Sequence, residues 1–356
     1  MPPALSRFAG VLEHRSVWIS VGMHPRDLAS DRFTTVFPGF LTPTAFPCSM
    51  NAMAWVLQNR AMPGSLPSHS TAALLWGLPL PARVEGGIGM LPVAEQLGDG
   101  TLVVPAVPPG TALGDDATLP VLHCLLPRGG RTRIGRGAVV HRGGPVATSQ
   151  VGKLHLPVQG EVLRQLGTVL RPWDLVAVAE AMIGPQSRFP GQSVEVLRGV
   201  LASGPGRAGT PAARRALGMA LPEVRSPGET VMRLVIEAVG LPRPVPNLRV
   251  SDPRDRSVRY IDLAWEEVRL GLEYDGDGHR TTKGQWRRDE ERRDQLAGLG
   301  WTLVRANGDD LRRPERILLR VRDALARHGV AVPDAPQVRR RLAEVVATHP
   351  SARMDR

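Results

Sequence analysis

Val258-Arg259-Tyr260-Ile261-Asp262-Leu263-Ala264-Trp265, then Glu266-Glu267, then Val268-Arg269-Leu270-Gly271-Leu272-Glu273-Tyr274-Asp275 is the stretch that decides the fold. Two runs rich in β-branched, aromatic and aliphatic residues flank an acidic pair, the pattern of strand, tight turn and strand. In the second run a period of two puts Val268, Leu270, Leu272 and Tyr274 on one face. Arg269, Gly271, Glu273 and Asp275 share the other, so two carboxylates project side by side. In the first run Asp262 interrupts an apolar stretch, and an anion inside a strand is costly unless it is paired or bound to a cation. An ion pair with Arg259 or Arg269 is one remedy. A hard divalent cation shared by Asp262, Glu273 and Asp275 is the other, since Mg2+ takes one or two carboxylates together with waters and phosphate oxygens.

Upstream, Ser226-Pro227-Gly228-Glu229 announces a helix: serine as N-cap, proline at the first helical position, glutamate three residues after the cap. Val231, Leu234, Val235 and Ala238 supply its expected buried stripe, and Glu229 either closes a capping box or assists a metal. Downstream, Gly276-Asp277-Gly278-His279-Arg280 lets backbone approach a ligand closely, and His279 is placed to orient water or protonate a leaving oxygen. A helix from about Lys283 to Leu299 follows, with Lys283, Arg287, Arg288 and Arg292 as candidate phosphate contacts, and Trp301 to Arg305 returns as a strand. Helix, strands, long helix, strand, helix is an α/β layer with a central sheet.

The remainder of the 356 residues is less regular. Residues 1–82 read as short helices and turns, with a capped helix at Ser68 to Gly77. Residues 83–222 read as an α+β region. It opens with a Gly/Pro-rich loop at 83–120, then strands at Val121 to Leu126 and Ala138 to Arg142, joined by a long hairpin connection, then a helix at Trp173 to Met182. A boundary is expected near Pro222, and residues 329–356 read as a basic tail, a short helix with frayed ends that is solvated rather than packed. His69 reads as a cap or core residue. His123 and His141 lie on neighbouring expected strands with no third ligand in view, so no transition-metal site is expected there.

A hydrophobic content of 42% with 22% charged residues fits packed domains and argues against disorder. No long apolar run or secretory pattern occurs, so a cytoplasmic chain without a membrane partner is expected. Cys48 and Cys124 lack the spacing of a zinc or disulfide framework. A net charge of +11 permits a nucleic-acid partner without singling one out, because the arginines are spread along the chain.

Taken in order, Ser226-Pro227-x-Glu229, Ile261-Asp262-Leu263, Glu273-Tyr274-Asp275-Gly276-x-x-His279-Arg280, Gln285-Trp286-x-x-Asp289-x-x-Arg292 and Gly300-Trp301-x-x-Val304-Arg305 resemble the Vsr-like endonuclease domains of actinobacterial proteins, within the PD-(D/E)XK superfamily. The resemblance implies a restriction-endonuclease-like domain at 223–328, a central mixed sheet flanked by helices. It implies hydrolysis of DNA phosphodiesters with Mg2+ or Mn2+, with Asp262 and Glu273 as metal ligands and Glu229 assisting. The lysine of the superfamily signature is replaced by Asp275, leaving Lys283 or His279 as candidates for its role. More loosely, Ser68-His69-Ser70-x-Ala72-Ala73-x-x-x-Gly77-Leu78, with Leu122-x-x-Leu125 and Val139-Val140-His141-Arg142, is similar to AbiEi-like antitoxin and regulator proteins. That likeness implies a DNA-binding winged-helix segment ahead of the matched region, which within residues 1–82, before about Gly39, is expected to be short and degenerate. DNA, a toxin or defence-system protein and a second copy of the chain are the expected partner classes. It also supplies the rival expectation, a non-catalytic DNA-binding regulator that keeps the nuclease fold as a clamp.

Overall fold

The computed structural model describes residues 4–81, 95–96, 102–103, 121–129, 134–185, 187–254, 256–275 and 283–349, with side chains left aside at 95–96, 102–103, 136, 275 and 283–290. Contacts divide the chain between Leu166 and Gly167 into two units. The boundary expected at Pro222 falls inside the second. The whole is a mixed α/β protein, and no helix among the described residues is long and apolar enough to cross a membrane.

The first unit is built on short strands. β1 (Glu13–His14), β2 (Phe33–Phe37) and β3 (Phe40–Pro43) form an antiparallel sheet, with a hairpin bend at Pro38 and Gly39. α1 (Arg15–Ser20) buries Trp18, whose indole N–H donates to the Leu41 carbonyl at 3.0 Å. α2 (Met50–Val56) is capped by Ser49 and carries Met53, Ala54 and Val56 into a core shared with Phe37, Leu122, Cys124 and Leu156. β4 (Leu66–Pro67) leads into α3 (His69–Leu75). A two-residue ladder, β5 (Glu95–Gln96) with β6 (Leu102–Val103), falls within the segment read as loop 83–120.

β7 (Leu122–Pro127) and β8 (Ala138–Gly143) lie at the expected places, but they pair in parallel, with β4 antiparallel on the far side of β7. The hairpin expectation is therefore corrected. Parallel neighbours need a connection that travels back to the starting end. At the described end of that connection Gly137 packs so tightly against β2 that a Cβ would overlap the Val36 carbonyl oxygen. β9 (Thr148–Val151) and β10 (Leu154–Pro157) form a hairpin, and α4 (Gln159–Leu166) closes the unit.

In the second unit α5 (Pro172–Ile183), α6 (Val194–Ala202) and α7 (Thr210–Met219) precede α8 (Pro227–Ala238). β11 (Val245–Ser251), β12 (Val258–Trp265), β13 (Leu270–Asp275) and β14 (Thr302–Asn307) then form one mixed sheet in that spatial order. The first three run antiparallel; β13 and β14 are parallel, joined through α9 (Lys283–Gly298). The turn between β12 and β13 is longer than a two-residue hairpin. Glu266 to Val268 make a helical turn, and Arg269 takes a left-handed φ of 46°. Val268 and Arg269 thus belong to the connection rather than the strand.

α8 is buried nearly all round, including Met232, Arg233 and Ile236, while Ala238, expected in its stripe, is exposed. At its heart Arg233 pairs with Glu180 of α5 at 2.8 Å, both almost wholly buried. α10 (Gly308–Arg312), α11 (Glu315–Arg327) and α12 (Ala335–Thr348) finish the unit. α12 corrects the expectation of a solvated tail. A capping box between Asp334 and Gln337 starts it, Val338 and Leu342 are buried, and Arg341 Nη1 donates to the Val239 carbonyl at 3.1 Å.

Candidate functional site

Of the acidic residues singled out in the sequence, Asp262, Glu229 and Glu273 lie near where the β12–β13 ladder ends. The register between these strands runs Trp265↔Leu270, Ala264↔Gly271 and Leu263↔Leu272 and stops there. One residue further on, the Asp262 carboxylate takes the main-chain N–H of Tyr274 at 2.8 Å. A side-chain acceptor thereby replaces a ladder carbonyl, which explains how an anion is tolerated in an apolar strand. Its neighbours are Glu229 on α8 and Glu273 on β13, and the charge of Asp262 acts on both.

Glu229 serves the start of its own helix. Ser226 Oγ accepts from the Glu229 N–H at 3.3 Å and donates back to Oε1 at 3.0 Å, while Oε2 accepts from the Arg225 N–H at 3.0 Å and from Asn247 Nδ2 at 3.1 Å. This is a variant of the expected capping box, with Arg225 rather than Ser226 supplying the main-chain donor. Burial, and then repulsion from Asp262, pushes the Glu229 carboxyl up to about 7 despite those donors.

Glu273 is buried beside α9. Arg292 Nη2 donates to its Oε1, and Arg292 Nη1 donates to the Tyr260 carbonyl at 3.2 Å. Arg292 therefore faces the sheet, which corrects its reading as an outward phosphate contact. Burial still holds the Glu273 carboxyl above the usual range, with Asp262 acting the same way and Arg292, Arg293 and Arg305 opposing. Arg259 and Arg269, the ion-pair partners considered for Asp262, are turned elsewhere: Arg259 Nε donates to Gln295 Oε1 at 2.8 Å and Arg269 Nη1 to the Leu299 carbonyl at 3.1 Å.

Asp275 ends β13, and Lys283, Arg287 and Arg288 lie in the first half of α9; their side chains fall outside the described residues, as do His279 and Arg280 altogether. Two residues of the site escaped the sequence reading. Asn247 sits at a left-handed φ of 46° and ties Glu229 to the Glu223 carbonyl, to which it donates at 2.6 Å. Gly228 faces Tyr274 so closely that a Cβ would lie 2.4 Å from Cε1 of the ring. Asparagine tolerates left-handed backbone, so Asn247 inside a strand-like run was a usable signal.

The first unit holds a second cluster, of His69, His123 and His141. The third residue that the sequence did not show beside His123 and His141 is His69, at the start of the helix that follows β4, and β4 pairs with β7.

No family model matches the chain. Two curated relatives from Mycobacterium tuberculosis are each 35% identical to it over 127 residues: uncharacterized protein MT2308 of strain CDC 1551 / Oshkosh and uncharacterized protein Rv2248 of strain H37Rv. The match takes in 35% of this chain and 46% of each relative, so the chain spans about half the length of the curated relatives it matches. Among solved structures, the RV2827C protein from the same organism is similar at a TM-score of 0.34 and 14% identity, over 71% of this chain and 89% of that chain.

Proposed function

We propose that residues 223–328 form a metal-dependent endonuclease domain of PD-(D/E)XK type that hydrolyses DNA phosphodiester bonds. The observation that carries this reading is the Asp262 carboxylate, fixed by the Tyr274 N–H where the β12–β13 ladder ends and near enough to Glu229 and Glu273 for its charge to act on both. Like charges gathered in a desolvated place are costly, and a functional site is where such a cost is commonly borne. The order of elements supports it too: a helix, three antiparallel strands, a helix and a fourth strand parallel to the third.

The donor set suits a hard divalent cation, with Asp262 and Glu273 as the residues to hold it. Bound there, Mg2+ or Mn2+ would polarise the scissile phosphate and acidify a water. The chain's own part is to orient and balance charge. The Tyr274 N–H fixes the Asp262 carboxylate, and the donors around Glu229 fix a carboxyl whose proton is exchanged near neutral pH. Arg293 and Arg305 add positive charge around Glu273 that a phosphate backbone can share.

Supercoiled plasmid incubated with the full chain and Mg2+ or Mn2+ is expected to be nicked. Asp262→Ala is expected to abolish nicking while keeping a native thermal transition, and competition with RNA and single-stranded DNA defines the polymer. One observation favours a second reading, a DNA-binding regulator without catalysis: Glu273 already has a cation in Arg292. Plasmid left intact with both metals, together with wild-type DNA binding by Asp262→Ala, would establish that reading instead.

A further inference from the structure

The histidines of the first unit come from distant places in the chain. His69 opens α3, His123 is on β7 and His141 on β8. The Ser68 N–H donates to the His123 carbonyl at 2.9 Å, which sets the start of α3 against β7, and the parallel ladder brings β8 alongside. The His69 ring stacks on that of His141 with centroids 3.7 Å apart, and His123 Nδ1 lies 3.0 Å from His141 Nε2. One nitrogen from each ring lies within 4.8 Å of the others.

The surroundings hold the rings in place. His69 has a left-handed φ of 49°, which costs a residue with a Cβ roughly 1–2 kcal/mol. That conformation is fixed by its N–H, which donates to Gln165 Oε1 at 2.9 Å, and by its Nδ1, 3.0 Å from Ser68 Oγ. The His123 N–H donates to Thr71 Oγ1 at 2.8 Å. Burial, then repulsion within the trio, pushes His69 down to about 3, and burial lowers His123 and His141 as well. These shifts favour the neutral imidazole, the form that a metal ligand needs. Arg164 adds positive charge near His69, and Glu161 holds it through an ion pair of 2.8 Å.

We propose that His69, His123 and His141 bind a borderline divalent transition ion, Zn2+ foremost, with its fourth position open to water. Imidazole nitrogens without a carboxylate suit Zn2+, Co2+ or Ni2+ rather than Mg2+. Zinc–nitrogen bonds of about 2.0–2.1 Å in tetrahedral geometry separate neighbouring nitrogens by about 3.3 Å. The His123–His141 contact is already at 3.0 Å, and small rotations of the rings bring the third nitrogen in. With Nδ1 of His69 held by Ser68 Oγ, its Nε2 is the nitrogen left to ligate, the serine acting as the outer partner that orients the ring. His69 is buried while His123 and His141 are only partly buried, so the site opens towards solvent on their side. Each ring ligates through one nitrogen and keeps its proton on the other, so binding needs a shift of tautomer and no net proton release. This site rests on the first unit alone and is independent of the acidic site.

The test uses the full chain stripped with chelator and titrated with ZnCl2 or CoCl2 alone. One equivalent is expected to bind, with a rise in Tm. Long-range proton–nitrogen spectra of the imidazoles should then show His69, His123 and His141 changing out of the nine histidines. His69→Gln and His141→Gln should each weaken binding by more than the roughly 10–100-fold that loss of an outer-shell partner costs. Asp262→Ala should leave Zn2+ binding unchanged. The proposal is overturned if the stripped protein takes up neither ion, if other histidines respond, or if Asp262→Ala removes the bound zinc. A thiolate-to-cobalt charge-transfer band, placing Cys48 or Cys124 on the ion, overturns it as well. The spectra of the wild type decide the matter even if a histidine variant does not fold.

Discussion

Arg292 joins α9 to the sheet through Glu273: one guanidinium nitrogen donates to Glu273 Oε1 and the other to the Tyr260 carbonyl. In the endonuclease reading this arginine competes with the metal for the same carboxylate. Arg292→Met should therefore lower the Mg2+ concentration at half-maximal nicking several-fold and enlarge the Tm rise produced by Mg2+. A metal titration of nicking activity checks this, and an unchanged midpoint would show that the two cations do not compete.

Glu229 links pH to stability. Its carboxyl titrates at about 7 in the fold against an ordinary value of 4.5, so its stabilising contribution is complete below pH 4.5 and is lost as pH rises through 7. The span corresponds to about 3 kcal/mol. Glu229→Gln mimics the protonated form, so its Tm should match wild type near pH 4.5 and exceed it at pH 8. Thermal melts across that range test the sign, and parallel curves for the two proteins would refute it.

Gly228 leaves room for the Tyr274 ring, whose own N–H holds Asp262. Gly228→Ala should cost about 1–3 kcal/mol by overpacking, and nicking should fall further than stability alone explains. Gly218, exposed on α7 with nothing within 4 Å of its would-be Cβ, is the control. Gly218→Ala should stabilise by roughly 0.5–1 kcal/mol. Equal Tm changes in the two variants would remove the packing argument.

Arg233 and Glu180 form a charged pair inside the second unit, with Leu221 N–H and Thr230 Oγ also donating to the carboxylate. Removing one partner leaves a buried charge without its counter-ion, which costs about 3–5 kcal/mol. Arg233→Met should show that loss in urea unfolding, and adding Glu180→Leu should recover much of it. Additive losses in the double variant would contradict the pairing.

The sheet of the second unit was legible because its signals are local. Alternation in β12 and β13, the Ser226 cap of α8 and the Gly300 stop of α9 each depend on residues close in sequence. The same holds for Asp262 and Glu273, which the divergence of two adjacent strands keeps near each other. What the reading missed depends on partners far away. The parallel pairing of β7 with β8, the packing of α12 and the approach of His69 to His123 and His141 are tertiary events without a short-range signature. Arg292 was misread for a related reason: helical periodicity does not say which face of α9 meets the sheet.

The β4–β7 ladder has a consequence for synthesis. Leu66 pairs with Leu125, whereas β11, β12 and β13 pair as successive neighbours. At roughly 5–20 residues per second, Leu66 leaves the ribosome about 3–12 s before its partner exists. During that wait the apolar face of α3 has no sheet to dock on. That face is where an unpaired first half is exposed to association during synthesis.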